Sequence, residues 1–265
     1  MSVYTLLEIV QDVHNDLNLD ITNSIGDTTE STRVAQIAKT VYFEFINRRD
    51  WPHLQKIGKL SSAASMTQKT SLLFPSNLSK IVWITYNRRK DTETRFKPEP
   101  LTYLYPDDFI QLANGLNSDA ANVEEMEVGE DVRLLVRNDK APEYWTSFDD
   151  EVIVLDSYDS AVESTVQGDN TQMLYYKIPT WTHEDDSVPD LPVEAFPGYL
   201  AEVKSVASFR INEIPDSKAE QQAVRQQRRL SNQSWRAHGG IRMPDYGRKT
   251  KGTYSRASRR RFDRD

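Results

Sequence analysis

The sequence predicts an α+β protein: a helical bundle made by the N- and C-terminal segments, an inserted antiparallel β-rich domain, and an extended basic C-terminal arm. Three observations predict it. Apolar residues recur at helical spacing near both ends. The middle changes to short β-branched and aromatic runs bounded by turn residues. The last stretch carries charge with no core-forming pattern. The expected boundaries are 1–54 and 189–237 for the two parts of the helical domain, 55–188 for the insert and 238–265 for the arm.

Taken in order, Thr5 with Glu8 forms a capping box, and Leu6, Ile9, Val10, Val13 and Leu17 follow at helical spacing, so a first helix ends near Asn18. The polar loop Asp20 to Gly26 suits a short antiparallel connection. A second helix runs from a capping box at Asp27 and Glu30 along the broad stripe Val34, Ile37, Ala38, Val41, Tyr42, Phe45 and Ile46. Arg48 and Arg49 fall in its last turn, opposing the helix dipole, and Trp51-Pro52 stops it. A stripe that wide must be covered, and the other strong helices lie at the chain ends.

In the insert, Ser71 to Phe74, Ile81 to Tyr86, Val132 to Val136, Glu151 to Tyr158 and Met173 to Ile178 read as strands. Pro106, at a first helical position ahead of Asp107 and Asp108, opens a short helix through Phe109, Ile110 and Leu112. Ser61 to Thr70 and the acidic stretch Asn117 to Asp131 read as loops. Beyond Pro189 and Pro192, the residues Phe196, Tyr199, Leu200, Val203, Val206 and Ala207 mark another apolar helix face, interrupted by Pro215. Ser217 with Glu220 caps a Gln- and Arg-rich helix to about Trp235, whose thin stripe is Ala219, Ala223, Val224 and Leu230. So narrow a stripe predicts a helix that lies on a neighbouring subunit or stands partly in solvent.

The 265 residues, 38% of them hydrophobic, suffice for one generous core or two small ones. A mean hydropathy of -0.65 with 28% charged residues is polar for that size, which fits an arm or a partner-contacting surface. With no cysteine, a disulfide framework and Cys-ligated zinc or iron–sulfur sites are excluded. The start MSVYTLLEIVQDVH lacks the basic region and apolar run of a signal peptide, and no stretch approaches membrane-spanning length, so a soluble product made in a cytoplasm is expected. The net charge of -7 hides an asymmetry: Arg225 to Asp265 holds 13 Lys and Arg against 3 Asp and Glu, leaving -17 on the preceding residues. An acidic body repels DNA, while a basic tail seeks an anionic partner or nucleic acid.

No constellation points to catalysis. His14, His53, His183 and His238 form no H-E-x-x-H pair. His183-Glu184-Asp185-Asp186 reads as a solvated acidic loop ahead of Pro189, and Asp149-Asp150-Glu151 as a polar turn, so no metal site is expected. No G-x-S-x-G, Walker or G-x-G-x-x-G motif occurs, and neither a catalytic residue nor a cofactor is expected. Trp51, Trp83, Trp145, Trp181 and Trp235 are scattered, which fits core or interface packing better than base stacking. Arginines interleaved with Tyr254 and Phe262 in the arm suit an acidic protein groove or DNA phosphates.

The order of features resembles the head-to-tail adaptor family of tailed bacteriophages, whose short-tailed members include the tail tubular protein A type. The residues that carry the resemblance are Arg-Asp-Trp-Pro-His-Leu at 49–54, Leu-Phe-Pro-Ser-Asn at 73–77, Tyr-Pro-Asp-Asp-Phe at 105–109 and Leu-Pro-Val-Glu-Ala-Phe at 191–196. The resemblance implies a structural virion protein of the neck and tail, assembled in the host cytoplasm. Its members form a dodecameric ring beneath the portal, extend the DNA channel, and present a platform for the next component, a nozzle or tail tube. It also implies a C-terminal segment that docks on the portal, here Arg248, Lys249, Lys251, Tyr254, Arg256, Arg259, Arg260, Arg261, Phe262 and Arg264. The Gln- and Arg-rich helix departs from the smaller adaptors.

An acidic channel wall would let double-stranded DNA slide without specific binding, since few phosphates would be neutralised. Two other readings compete with the connector. One is a nucleic-acid-binding accessory protein that uses the basic tail from Arg225 onward; the other is an enzyme with a carboxylate-bound metal at His183 to Asp186.

Overall fold

The computed structural model describes residues 4–65, 67–90, 92–128 and 132–237. Residues 238–265, with all ten of the expected docking residues from Arg248 to Arg264, lie outside the described residues. The fold is α+β, with two separate buried cores.

Helix α1 (Leu6–Asp16) starts at the expected capping box, where Thr5 Oγ1 accepts from Glu8 N at 3.2 Å and Glu8 Oε2 accepts from Thr5 N at 2.9 Å. Helix α2 (Thr29–Asn47) begins one residue later than the sequence suggests. Its box is Thr28 and Ser31, each hydroxyl accepting the other's backbone N–H at 3.0 Å. Asp27 is diverted to the N–H of Asn23 at 3.2 Å inside the preceding loop, and Glu30 faces solvent. All seven residues of the α2 stripe are buried. The helix stops at Asn47, so Arg48 is its C-cap and Arg49 lies beyond it, where Arg48 reaches across to Glu202 at 2.8 Å.

The cover is α4 (Phe196–Asn212), which buries Phe196, Tyr199, Val203 and Ala207 against α1 and α2. Lys204 on α4 ties to α1 through Asp12 at 2.8 Å and Asp16 at 2.5 Å. Helix α5 (Ser217–Ala237) starts from Asp216, whose Oδ1 accepts from Lys218 N at 2.9 Å and Ala219 N at 3.2 Å; Ser217 is already helical. Helix α5 stands partly in solvent, as its thin stripe predicts, with Val224 43% exposed, and its narrow buried side packs on α4 of its own chain. Ala219, Ala223 and Leu230 are buried there, because Gly198 lets the two backbones approach: a Cβ on it would meet Gln226 Cβ at 3.1 Å. Small residues shorten the interhelical distance that a thin stripe must fill.

The strands, in chain order, are β1 (Gln55–Gly58), β2 (Ser61–Ser62), β3 (Ser71–Leu73), β4 (Leu78–Asn87), β5 (Pro98–Pro100), β6 (Thr102–Tyr103), β7 (Val123–Val128), β8 (Val132–Arg137), β9 (Tyr144–Ser147), β10 (Val152–Leu155) and β11 (Thr171–Lys177). A four-stranded antiparallel sheet runs β1-β11-β4-β5. A five-stranded sheet runs β2-β3-β10-β9-β6, in which β6 joins β9 in parallel and the other pairings are antiparallel. Strands β7 and β8 form a separate hairpin. The expected loop Asn117 to Asp131 therefore contains a strand, β7, and Ser61 to Thr70 contains the short β2. Helix α3 (Pro106–Asn114) starts at Pro106 as expected and rests on β8 and β9.

The helical core draws on residues 6–54 and 176–230, and the β core on 60–175. Strand β11 serves both, with Met173 and Tyr175 in the β core and Tyr176 in the helical one. The chain crosses between the units at Trp51–Gln55 and again after Lys177. There His53 Nε2 donates to the Asp190 carbonyl at 2.9 Å, Lys177 pairs with Asp190, Lys80 pairs with Asp50 at 2.9 Å, and Tyr42 donates to the Thr180 carbonyl at 3.2 Å. The loop His183 to Asp186 is not merely solvated. The carbonyls of Asp185 and Ser187 accept from Leu7 N and Leu6 N at 3.2 and 2.8 Å, closing the α1 N-terminus, and Asp185 Oδ1 accepts from Ile25 N at 2.8 Å.

Candidate functional site

Three exposed features of the described residues bear on function, together with one cleft at the junction of the two units. The first feature is on the outer face of the four-stranded sheet. Register places Ile57 opposite Leu174 and Leu174 opposite Trp83, so three apolar side chains from β1, β11 and β4 form one row. Ile57 is 75% exposed and Trp83 38%. The row lies beside the edge strand β1, whose outer backbone groups no strand among the described residues takes up. The other face of the sheet is covered by the β core, which is why the same strands bury Met173 and Ile84.

The second feature is an aromatic cluster at the opposite sheet. Parallel pairing sets Tyr103 on β6 against Trp145 on β9, with ring centroids 4.8 Å apart in an edge arrangement. Tyr105 adds a ring 5.5 Å from Tyr103, and Phe74 lies 6.4 Å from Trp145. Tyr105 is 70% exposed, and the acids Asp107 and Asp108 follow it on α3.

The third feature is the outer face of α5. Arg225, Arg228 and Arg229 are exposed, and none makes an ion pair among the described residues. This is the described start of the basic stretch that continues into the arm.

At the junction, the Arg49 guanidinium stacks 3.6 Å over the Trp51 ring. Burial pushes the Arg49 pKa down, and burial likewise lowers that of His53, which packs edge-on to Trp51 at 5.7 Å. Trp51 itself is fixed by donating Nε1–H to the Ile46 carbonyl at 3.1 Å.

One titratable cluster among the described residues has a structural task. Lys69, Glu124 and Tyr158 bond one another, and Asn138 also donates to Glu124, so the group staples the β7–β8 hairpin to the β core. The cleft between α3 and β8, about 360 Å³, ends at Asp156, whose Oδ1 is taken by the backbone N–H groups of Glu143 and Tyr144, both at 2.9 Å. Among the described residues, no group of three or more His, Asp or Glu is placed to hold a metal ion, and no helix is long and apolar enough to cross a membrane.

None of the ten expected docking residues can be brought together here, because all lie outside the described residues. The exposed row and the aromatic cluster are not among the sequence expectations. Trp83 and Trp145 carried the available signal, as large rings suited to interfaces, but the residues that join them become neighbours only through strand pairing. No family model matches the chain, and comparison with the curated proteins also finds no match.

Proposed function

We propose that this protein is a structural, non-enzymatic ring subunit of a virion, a connector of the head-to-tail adaptor kind that joins the portal to the tail and extends the DNA channel. The observation that carries the reading is a pair of unlike exposed apolar surfaces on two different sheets, the row Ile57–Leu174–Trp83 and the cluster Tyr103–Tyr105–Trp145. Head-to-tail ring contacts need two different patches per subunit, whereas a two-fold dimer needs one self-complementary patch. Exposed apolar side chains grouped in this way mark association sites. The helical unit, stitched by α1, α2, α4 and α5, supplies a frame from which the sheets project, and the basic residues Arg248 to Asp265 are the segment assigned to portal docking.

Native mass measurement or negative-stain imaging of the purified chain tests the reading: a closed ring is expected, with a dodecamer the stoichiometry that the resemblance implies, and a strict monomer or two-fold dimer overturns it. Deleting Arg248 to Asp265 should leave a folded subunit that no longer attaches to the portal ring; attachment at unchanged affinity removes the docking role.

A second reading, a nucleic-acid-binding accessory protein, is favoured by the exposed face Arg225, Arg228 and Arg229 of α5. Salt separates the two: tail-driven duplex binding weakens steeply with ionic strength, and a protein-docking arm shows little duplex affinity even at low salt.

A further inference from the structure

Where α2 ends, α5 passes over the start of the crossing to the β unit, and a cleft of about 210 Å³ opens between them. Its walls are Phe45, Trp51 and Leu230, with Arg48, Arg49 and Gln227 at its polar side. The two arginines differ in state. Arg48 is neutralised by Glu202 at 2.8 Å, and Gln227 donates to the other oxygen of the same carboxylate at 2.9 Å, so this trio is closed on itself. Arg49 has no carboxylate within ion-pair distance among the described residues, although it is half-buried and its guanidinium lies over the Trp51 ring.

A half-buried guanidinium has lost part of its hydration without receiving charge in return, a state reflected in its lowered pKa. The guanidinium lies 3.6 Å over the Trp51 ring and lines the cleft, and its fork of N–H donors is the group that receives two oxygens of one oxyanion side by side. Apart from Ser231, the remaining walls are aromatic and aliphatic, so an apolar body attached to the oxyanion finds contacts that water does not provide.

We propose that this cleft is a binding site for an oxyanion carried on an apolar body, a carboxylate above all, with Arg49 as its fork and Phe45, Trp51 and Leu230 as its walls. Because the cleft is shared by the α2 terminus, the crossing segment and α5, an occupant fastens α5 to the junction. The site belongs to the Arg-Asp-Trp-Pro-His-Leu stretch, to which the connector reading gives no role, and it stands whether or not the chain forms rings.

Equilibrium dialysis of the full-length protein against benzoate, and separately against inorganic phosphate, tests it. Benzoate should bind saturably at one equivalent per chain. Arg49→Gln should weaken that binding by about tenfold or more, as expected for loss of a charge-assisted pair, and Arg49→Lys by an intermediate factor because it keeps the charge but not the fork. Arg225→Gln, on the outer face of α5, should change nothing. Phosphate binding with the same dependence on Arg49 also supports the site and widens its ligand to oxyanions in general. If neither probe binds saturably, or if binding is indifferent to Arg49→Gln, the proposal is overturned. Should Arg49→Gln lose its far-UV circular dichroism, the Arg49→Lys comparison decides in the same way, with unchanged affinity overturning the site.

Discussion

The hydroxyl of Tyr199 on α4 donates to the main-chain carbonyl of Ala38 on α2 at 2.8 Å, and both residues are fully buried. Ala38 lies in mid-helix, where its carbonyl also accepts the helical N–H four residues on. The bond therefore adds a second donor to an acceptor that is already satisfied. Its position sets the register between the two helices that come from opposite ends of the chain. Tyr199→Phe removes only the hydroxyl and should cost about 0.5–1.5 kcal/mol. Tyr199→Ala also empties the space among Tyr42, Phe45 and Ala38 and should cost about 3–5 kcal/mol. Urea unfolding of both variants measures the gap, and equal losses would mean that the ring contributes nothing beyond its hydroxyl.

Gly168 sits where the β unit closes on itself. A Cβ on it would lie 2.2 Å from the Leu60 carbonyl oxygen, a backbone atom that cannot swing aside. Gly168→Ala must push apart the segment that leads from β1 to β2 and the start of β11. The Leu60 N–H, which donates to the Thr171 hydroxyl at 2.9 Å, would lose that acceptor with it. Overpacking of this kind should cost at least about 1–3 kcal/mol. Gly26→Ala, with nothing within 4 Å of the added methyl, serves as the control and should stay within about 0.5 kcal/mol. Thermal unfolding of the two variants side by side makes the comparison.

Glu124 gives the β7–β8 hairpin a pH dependence of predictable sign. The Lys69 ammonium beside it, helped by the Asn138 amide, holds its pKa down to about 2, against an ordinary value of 4.5. A depressed carboxylate contributes stability that is complete above its unfolded pKa and is lost as pH falls through the folded one. The side chain is 36% exposed, so solvent screening limits the contribution to below about 1 kcal/mol. Wild type should exceed Glu124→Gln in urea midpoint at about pH 5, and the difference should vanish towards about pH 2. A gap that persists undiminished in acid would show that packing, and not charge, holds the hairpin.

How much of this was legible in the sequence depended on whether the signal is local. The α2 stripe from Val34 to Ile46 and the Pro106 helix start are written in spacing and turn chemistry, and the structure repeats them. The α2 cap is off by one residue because Asp27 is claimed by the loop N–H of Asn23, a competition that spacing does not display. Strand β7 is hidden by charge: in VEEMEV the acids Glu125 and Glu127 face solvent while Met126 is buried, so its alternation reads as an acidic loop until β8 lies beside it. Strand β5 is masked by Pro98 and Pro100, which only an edge position tolerates. The thin stripe of α5 shows in the sequence that the helix stands partly in solvent, but not that its buried side rests on α4, because Gly198, on another helix, makes the room for it. The exposed row on the four-stranded sheet could not be read at all, since Ile57, Leu174 and Trp83 meet only through a register that includes a shift between Leu174 and Tyr175.

That row gives the most direct test of self-association. Ile57 lies on an edge strand of four residues and is three-quarters exposed, so it contributes little to the fold of its own subunit. Covering such a side chain in a contact would return about 1.5–3 kcal/mol per subunit, a term repeated at every interface of a ring. Ile57→Asp replaces that gain with the desolvation of a carboxylate next to Leu174 and Trp83. A charge on an edge strand is also the device by which proteins prevent unwanted pairing. The variant should therefore unfold within about 0.5 kcal/mol of the wild type yet lose, in native mass measurement, the closed ring proposed above. Tyr105→Ala, on the 70% exposed ring of the other patch, should act in the same direction, because a head-to-tail contact fails when either face is spoiled. Mixing the two variants is the sharper arm: each retains the face the other has lost, so paired dimers should form and closed rings should not. Full assembly by either variant alone would remove its surface from the interface.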